Sequence, residues 1–250
     1  MGRFLYSVFF TLISLSTICS AQSPLSLRQY RGGPPAGVVI RTCSVPGTFA
    51  LTFDDGPGLH TNTLLDQLDK IGVKVTFFID GNNVGGLDDE GVTKCIQRAY
   101  NAGHQIASHT FSHANLTMIS PDQVRSEMSK LDEQIKRAIG VRPTYMRPPF
   151  GATNGQVLGI LRDLGYRVIR WSVDTNDWRH PDDAEASLMV LRRKVRNVAQ
   201  GIAGIALAHD TMPSTATRYV EAAARIIRKK GYRLTTISEC LGDGSDAYRV

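Results

Sequence analysis

The alternation of short apolar runs with longer amphipathic segments is the feature that most restricts the fold of this chain. Seven runs rich in β-branched and aromatic residues are separated by six segments whose apolar residues recur at helical spacing. This pattern predicts an α/β fold in which crossover helices join parallel strands. Closed on itself, the sheet would be a (β/α) barrel one unit short of eight; an open doubly wound sheet is the alternative. The predicted strands are TFALTF, VKVTFFI, QIASH, TYMRP, RVIRWSVD, GIALAHD and YRLTTIS.

The predicted helices carry sequence signals at their ends. Ser120 stands before Pro121, so that a serine N-cap is followed by proline in the first turn, and several segments finish in glycine. No second domain interrupts the alternation. The predicted helices are HTNTLLDQLDKIG, EGVTKCIQRAYNAG, PDQVRSEMSKLDEQIKRAIG, TNGQVLGILRDLG, DAEASLMVLRRKVRNV and TATRYVEAAARIIRKKG.

Residues 1–21 have the composition of a secretory signal peptide. Arg3 supplies a positive charge, an apolar stretch follows to about Ile18, and small residues precede a cleavage site after Ala21. A transmembrane anchor is the alternative, but roughly 15 apolar residues are fewer than the ~20 that a span needs. We therefore expect a secreted protein, extracellular or in the cell wall, without membrane association after cleavage.

Polar segments flank the predicted barrel on both sides. Residues 22–42 are rich in Pro, Gly, Ser and Arg and are expected to form an exposed lead-in. The catalytic domain is expected to span residues 43–240. Residues 241–250 are expected to form a polar tail, which lacks the hydrophobic stretch of a GPI-anchor signal.

The chain is basic, with 29 Lys and Arg residues against 23 Asp and Glu residues and a formal net charge of +6. Many of the cations fall in predicted helices, as in LRRKVRNV and AARIIRKKG, which is typical of a solvated helix face. No basic stripe interleaved with aromatic residues is present, so we expect no nucleic-acid partner. An acidic wall surface is the alternative explanation for the charge.

Three cysteines remain once Cys19 is removed with the signal peptide. Cys43 lies just before the first predicted strand and Cys240 just after the last, and in a barrel these two ends are neighbours. We predict a disulfide between them, which would persist in an oxidising compartment and contribute up to ~4–5 kcal/mol. Cys95 is then unpaired, and we expect it to be buried on a helix.

Charged and imidazole side chains follow the carboxyl ends of five predicted strands. In a barrel these ends share one face, where active sites are built. Convergence of so many polar residues on one mouth predicts a functional site there. The residues are Asp54 and Asp55, His109, Arg147, Asp174, and His209 with Asp210.

Two histidines and an acidic pair form a candidate metal site. His109 and His113 are four positions apart, and a helical turn there would direct both imidazoles to one side. A carboxylate from Asp54 or Asp55 would complete the three protein ligands of a catalytic zinc site. Histidines satisfied within a core are the alternative. Adjacent carboxylates also need a cation or a hydrogen-bond donor to offset their repulsion.

The chain resembles the polysaccharide deacetylases, that is, carbohydrate esterase family 4 or the NodB-homology domain. The resemblance runs from about residue 43 to 240 and implies a distorted (β/α) barrel with fewer than eight units, in agreement with about seven parallel strands. Five motifs carry it in order: TFDDGP at 52–57, HTFSH at 109–113, RPPFG at 147–151, DTNDW at 174–178 and LAHD at 207–210.

The resemblance implies a role for each residue on the metal side of the mouth. Asp55, His109 and His113 would bind a divalent metal, most often Zn²⁺ and in some members another ion such as Co²⁺. Asp54 would be the general base that activates a water molecule. Arg147 would pair with Asp54 and hold it in place.

The remaining motif residues would complete the reaction. His209 would be the general acid, and Asp174 would orient it and support its charged form. Phe150 would offer its backbone N–H to the oxyanion. Trp178 and Leu207 would form apolar walls for the acetyl group and the sugar, although core packing is the alternative for Trp178.

The motif variants indicate a substrate class. WSVDTNDW at 171–178 and GNN at 81–83 are most similar to fungal chitin deacetylases, which implies N-deacetylation of chitin or its oligomers by a monomeric enzyme. The alternatives are a peptidoglycan deacetylase and an acetylxylan esterase, because one acid–base pair serves an amide or an ester. A catalytically inactive carbohydrate-binding homologue is a further alternative. Such a protein should lack a metal ligand, the general base or the general acid, and all of these residues are present in the sequence.

Overall fold

A curled parallel sheet forms the centre of the molecule, as the alternation of apolar runs predicts. The structure, a computed structural model, describes residues 1–2, 33–82, 86–87, 89–196 and 203–250, without the side chains of residues 244 and 245. The strands in this range are β1 (Val39–Ile40), β2 (Thr48–Asp54), β3 (Thr76–Ile79), β4 (Gln105–Ser108), β5 (Arg142–Pro143), β6 (Tyr145–Met146), β7 (Arg167–Ile169), β8 (Val173–Asp174), β9 (Ile205–His209), β10 (Arg233–Leu234) and β11 (Tyr248–Arg249).

The strand order confirms the predicted barrel architecture. The sheet runs β1-β7-β6-β4-β3-β2-β9-β8, with β10 beside the start of β2, and its strands pair in parallel. Strands β5 and β11 form a separate antiparallel pair. The sheet therefore curls into a distorted, incomplete (β/α) barrel with its carboxyl ends at one mouth.

Helices cover the outer face of the sheet in the order that the sequence predicts. Helix α3 begins with a full capping box, in which Ser120 and Gln123 exchange hydrogen bonds, and ends at Gly140 in a left-handed conformation. Among the described residues the helices are α1 (Thr61–Ile71), α2 (Glu90–Asn101), α3 (Pro121–Ile139), α4 (Gly155–Asp163), α5 (Ala184–Lys194), α6 (Val220–Lys229) and the short α7 (Ile237–Cys240). None of them is long and apolar enough to cross a membrane.

Residues of β2 show how the sheet directs polar groups to the mouth. Phe49, Leu51 and Phe53 pack into the core between sheet and helices, whereas Ala50 packs into the core inside the curl. Because side chains alternate along a strand, Asp54 shares the inner face with Ala50. A strand buried on both faces therefore delivers one carboxylate into the barrel.

One predicted strand, RVIRWSVD, is wrong as a single element. It divides into β7, which is second from one end of the strand order, and β8, which lies at the other end. Between them, the N–H of Arg170 donates to Ile40 of β1, and the N–H of Ser172 donates to Ile205 of β9. The run therefore crosses from one edge of the curled sheet to the other.

The described part of the predicted lead-in, residues 33–42, is exposed or half-buried, yet it pairs with the sheet and so belongs to the domain. Strand β1 pairs with β7, and Arg167 Nε donates to the carbonyl of Pro34 at 2.8 Å. Thr42 also forms an isolated bridge with Gly204. The predicted signal peptide and residues 22–32 lie outside the described residues, apart from Met1 and Gly2.

The C-terminal residues 241–250 are also part of the fold, contrary to the prediction of a polar tail. Tyr145 donates a hydrogen bond to the buried Asp243, and Arg249 pairs with Asp132 at 2.7 Å. Strand β11 pairs with β5. Polar composition does not distinguish a solvated tail from one whose charges are matched by buried partners.

The predicted disulfide between Cys43 and Cys240 is confirmed, and it joins residues 197 positions apart. The bond ties the segment before β2 to α7, which lies under the barrel at the end opposite the mouth. Cys95 is free and buried on α2, as expected.

We expect the double substitution Cys43→Ala and Cys240→Ala to lower the free energy of unfolding by about 2–5 kcal/mol, because the unfolded chain gains the freedom of a very long loop. Urea unfolding followed by circular dichroism measures this change. Cys95→Ala is the matched control, with a loss of no more than about 1 kcal/mol. Equal losses in both variants would contradict the role of the disulfide.

Candidate active site

The turn after β2 brings two consecutive carboxylates to the mouth. Neighbouring side chains of a strand point to opposite faces, but Asp55 has a left-handed backbone (φ 74°), so both Asp54 and Asp55 line the same cavity. Gly56 follows, where a Cβ atom would lie 1.9 Å from an oxygen of the buried Asp210. Only glycine fits there.

Three side chains converge as a candidate metal centre. His109 Nε2 and His113 Nε2 each lie 3.4 Å from Asp55 Oδ1, and the three ligand atoms lie within 4.8 Å of one another. The loop that joins the histidines is not helical, contrary to the expected turn. Left-handed backbones at Thr110 and His113 bring the imidazoles together instead.

The backbone of Arg147 fixes the orientation of His109. Its carbonyl oxygen lies 2.7 Å from His109 Nδ1, and since a carbonyl only accepts, this nitrogen carries the proton. The opposite nitrogen, Nε2, then faces the cluster, where it can bind a metal ion by giving up its proton. A hydrogen bond of this kind behind a ligating histidine is a regular feature of metal sites.

The electrostatics of the cluster favour a positive charge. Burial opposes ionisation of Asp55, yet the imidazole of His109, whose Nε2 is 3.4 Å from Asp55 Oδ1, outweighs it and lowers the pKa of this carboxyl to about 2. Burial also opposes protonation of His109, but the carboxylates of Asp54 and Asp55 raise the pKa of this imidazole to about 9. Asp55 Oδ1 is buried without a hydrogen-bond partner.

The three residues fit a divalent metal ion. Ligand atoms at 2.0–2.1 Å from a tetrahedral ion lie roughly 3.4 Å from one another, which is the spacing between Asp55 and each histidine. Two imidazoles and one carboxylate are donors that zinc accepts, with a position left open. The described cluster matches the predicted ligands Asp55, His109 and His113.

Asp54 is held by a buried arginine. Arg147 is wholly buried; its Nη1 donates to Asp54 Oδ1 at 2.5 Å and to Thr52 Oγ1 at 2.8 Å. Its guanidinium stacks on Phe78, 4.1 Å from the ring centre. The other oxygen of Asp54 lies 3.8 Å from His109 Nε2 and faces the metal cluster. The expected pair of Asp54 and Arg147 is therefore present.

A second charged pair lies across the cavity, and it corrects one prediction. His209 Nδ1 contacts Asp177 Oδ1 at 2.8 Å, whereas Asp174, the expected partner, accepts a hydrogen bond from the backbone of Asn176. Asp177 also accepts from the N–H of His209 and from Thr215 Oγ1. The residue that orients His209 is Asp177; Asp174 lines the cavity instead.

Asp177 was missed because the DTNDW motif offers two carboxylates three positions apart. The predicted strand ends at Asp174, which made it the natural choice. After that strand, Asn176 adopts a left-handed backbone and a short 3-10 turn begins at Asp177. This reversal turns the carboxylate of Asp177 inward. The sequence signal for it is Asn176, because asparagine adopts the left-handed conformation more readily than most residues.

The charge state of His209 depends on this pair. Burial lowers the pKa of the imidazole, but the hydrogen bond and charge of Asp177 outweigh this effect and raise the pKa to about 9. Since Nδ1 faces Asp177, the opposite nitrogen carries the second proton of the imidazolium. The cavity thus has a proton donor on the side opposite to Asp54.

Apolar side chains frame a cavity of about 410 Å³ between the two charged pairs. Leu207 is buried in its wall, while Trp178 is 48% exposed, so core packing does not explain this tryptophan. The ring of Phe150 is 67% exposed and lies 4.9 Å from that of His113. The three predicted substrate-binding residues therefore line one cavity with the charged groups.

Two further acids support the turn that carries Asp55. Asp210, to which the sequence assigned no chemistry, is fully buried; it accepts a hydrogen bond from Thr61 Oγ1 at 2.6 Å, and burial raises its pKa to about 7. The N–H of Asp80 donates to the carbonyl of Gly56. Their packing against Gly56 explains why the turn holds one shape.

Comparison with known proteins defines the class. The polysaccharide deacetylase family matches residues 42–169, and with this match the chain belongs to that family. A chitin deacetylase of Pestalotiopsis sp is 41% identical over 223 residues, covering 89% of this chain and 72% of that protein. The chitin deacetylase structure from Colletotrichum lindemuthianum superposes with a TM-score of 0.84 at 33% identity, covering 86% of this chain and 97% of that one.

A relative with another described substrate is equally similar. A probable peptidoglycan-N-acetylglucosamine deacetylase of Arthroderma benhamiae is 42% identical over 84% of this chain. The match spans 47% of that protein, so about half of its length has no counterpart here. Relatives at nearly equal identity are therefore named for two different polymers, chitin and peptidoglycan.

We expect His113→Ala to weaken zinc binding by more than the ~10–100-fold that is typical for loss of an outer-shell partner, because it removes a direct ligand. Competition between the metal-free protein and a chelating indicator dye measures the dissociation constant without any turnover. His180→Ala, at an exposed histidine outside the cavity, is the control and should keep the affinity. Unchanged binding in His113→Ala would rule out the three-residue site.

We expect Asp177→Asn to shift the high-pH limb of the rate profile. His209 is the expected general acid and would act in its protonated form, so the rate should fall as pH rises through the raised pKa of this imidazole. Without the carboxylate charge, that fall should occur about 1–2 pH units lower. Asp174→Asn is the matched control, because Asp174 does not contact His209; an equal shift in both variants would contradict the assignment.

Proposed function

We propose that this protein is a chitin deacetylase, which hydrolyses the acetamide of N-acetylglucosamine polymers or oligomers to a free amine and acetate. The observation that carries the proposal is the two-sided cavity, with Asp54, Asp55 and the ligating histidines on one side and His209 on the other. Amide hydrolysis needs both a base for the attacking water and an acid for the leaving amine.

The metal side activates and positions the reactants. A divalent ion, most often zinc and in some family members cobalt, would be held by Asp55, His109 and His113 and would supply Lewis-acid chemistry at the acetyl carbonyl. Asp54 removes the proton from the attacking water through the oxygen that faces the cluster. Arg147 holds this carboxylate in place through its 2.5 Å hydrogen bond.

The opposite side completes the reaction. The tetrahedral intermediate places negative charge on the former carbonyl oxygen, which the backbone N–H of Phe150 would stabilise. His209 donates its proton to the departing nitrogen, because an amine leaves readily only when protonated. Asp177 stabilises the imidazolium before that transfer.

Apolar walls make the cavity suitable for an acetylated sugar. Leu207 borders the place for the methyl group, and Trp178 and Phe150 offer exposed aromatic faces on which a sugar ring can pack. We favour chitin because fungal chitin deacetylases match nearly the whole chain. Peptidoglycan is the second candidate, supported by the Arthroderma relative, and acetylxylan is the third.

We further propose that the enzyme is secreted and acts as a monomer in the wall or the surrounding medium. The disulfide of Cys43 with Cys240 supports an oxidising compartment. An inactive homologue is disfavoured because the proposed base, acid and three metal ligands all line the described cavity.

Acetate release from chitin oligomers tests the proposal. We expect a strong chelator to abolish release and zinc to restore it, and Asp54→Asn or His209→Ala to lower kcat by on the order of 10²–10⁴. His180→Ala should retain the wild-type rate. Full activity in Asp54→Asn or after metal removal would disprove the mechanism, and a greater kcat/KM on peptidoglycan or acetylxylan would reassign the substrate.

A further inference from the structure

The positive charge of the chain is concentrated in one segment. Residues 184–233 contain ten Lys and Arg residues and three Asp and Glu residues, so this segment carries a formal +7. The whole chain carries +6, and the remaining residues therefore sum to −1. A general basic composition does not explain such segregation.

The structure gathers six of these ten cations on two adjacent helices. The last turn of α5 and the outward face of α6, which we call the basic face, are exposed, and α6 packs between α5 and α1. Grooves of about 440 and 380 Å³ flank α6 and share Arg225 and Lys229 in their linings. The basic face consists of Arg192, Arg193, Lys194, Arg225, Arg228 and Lys229.

Acidic residues neutralise only part of this charge. Glu185 pairs with Arg192, and Glu221 pairs with Arg225 at 3.0 Å and with Lys70 at 3.8 Å. The third acid of the segment, Asp210, is buried at the mouth. Two exposed carboxylates against six cations leave the basic face with a net positive potential.

The basic face lies away from the mouth. Each helix of a parallel β/α fold runs antiparallel to the strands, so the ends of α5 and α6 lie where the strands begin. Arg233, just beyond α6, pairs with Thr48, the first residue of β2. The proposed substrate is uncharged and its product is cationic, so attraction to either does not account for this charge.

We propose that the basic face binds an anionic polysaccharide with carboxylate groups, and that it holds the enzyme on such a polymer while the mouth stays free. Guanidinium and ammonium groups pair with carboxylates repeated along a chain, and the grooves beside α6 offer a path for that chain. The partner is thus distinct from the substrate.

Two other polyanions fit the basic face less well. Single-stranded nucleic acids stack on exposed aromatic rings, but the aromatic residues of the segment, Tyr219 and Tyr232, are buried. Insertion into a membrane surface needs a free apolar helix face, and that of α6, formed by residues such as Ala223 and Ile227, is packed in the core.

Binding to immobilised polygalacturonate tests the proposal. We expect the wild-type protein to bind it and to lose at least ~10-fold in affinity between 50 and 200 mM salt. The double variant Arg193→Glu and Lys229→Glu should lose at least ~10-fold at low salt. Fully methyl-esterified polygalacturonate, which has the same sugar chain without charge, should not be bound.

A matched control separates the basic face from net charge. Lys94→Glu with Arg125→Glu makes the same change in charge on α2 and α3 and should keep the affinity. Both variants should deacetylate soluble chitin oligomers at the wild-type rate, which also verifies folding. Equal loss in the two variants, binding of the esterified polymer, or tighter binding of single-stranded DNA or phosphatidylserine vesicles through the same residues would overturn the proposal.

Discussion

The buried ion pair between Arg147 and Asp54 connects the two halves of the metal side. The guanidinium of Arg147 holds the carboxylate of Asp54, the proposed base, and the carbonyl of the same residue fixes the imidazole of His109. Removing such an arginine would leave Asp54 charged and buried without a counter-ion, which typically costs several kcal/mol. Arg147, which follows β6, therefore positions both the proposed base and one of the proposed metal ligands.

A buried charged residue also holds a partner of opposite charge on the other side of the cavity, where the buried residue is an acid. There Asp177 is the buried group, and hydrogen bonds from Thr215 and from two backbone N–H groups hold it before it contacts His209. Each reacting side chain has a partner that is less exposed than itself. The carboxylate of Asp177 thus supports the charged form of His209 on the side of the cavity opposite to Asp54.

Sequence patterns predicted the parts of the molecule that depend on local periodicity. The strands follow from the apolar runs, and the helix ends follow from capping residues and glycines. The disulfide and the convergence of Asp54, His109 and Arg147 follow from the predicted barrel, since its parallel strands end on one face. The division of RVIRWSVD and the choice of Asp177 over Asp174 depend on backbone reversals set by distant hydrogen bonds, such as that of Arg170 with Ile40. The β propensity of a segment does not show at which residue the strand ends and a turn begins.

Strained backbone conformations are concentrated at the mouth, so the stability of the protein must come from the rest of the barrel. Asp55, Thr110, His113, Phe150 and Asn176 are the described non-glycine residues with left-handed backbones, and most of them line or border the cavity. Each such residue costs about 1–2 kcal/mol. The buried parallel strands and the disulfide at the opposite end of the barrel offset this cost without contacting the reacting groups. A polymer bound at that same end would leave the strained mouth undisturbed, so that attachment and catalysis use separate parts of one fold.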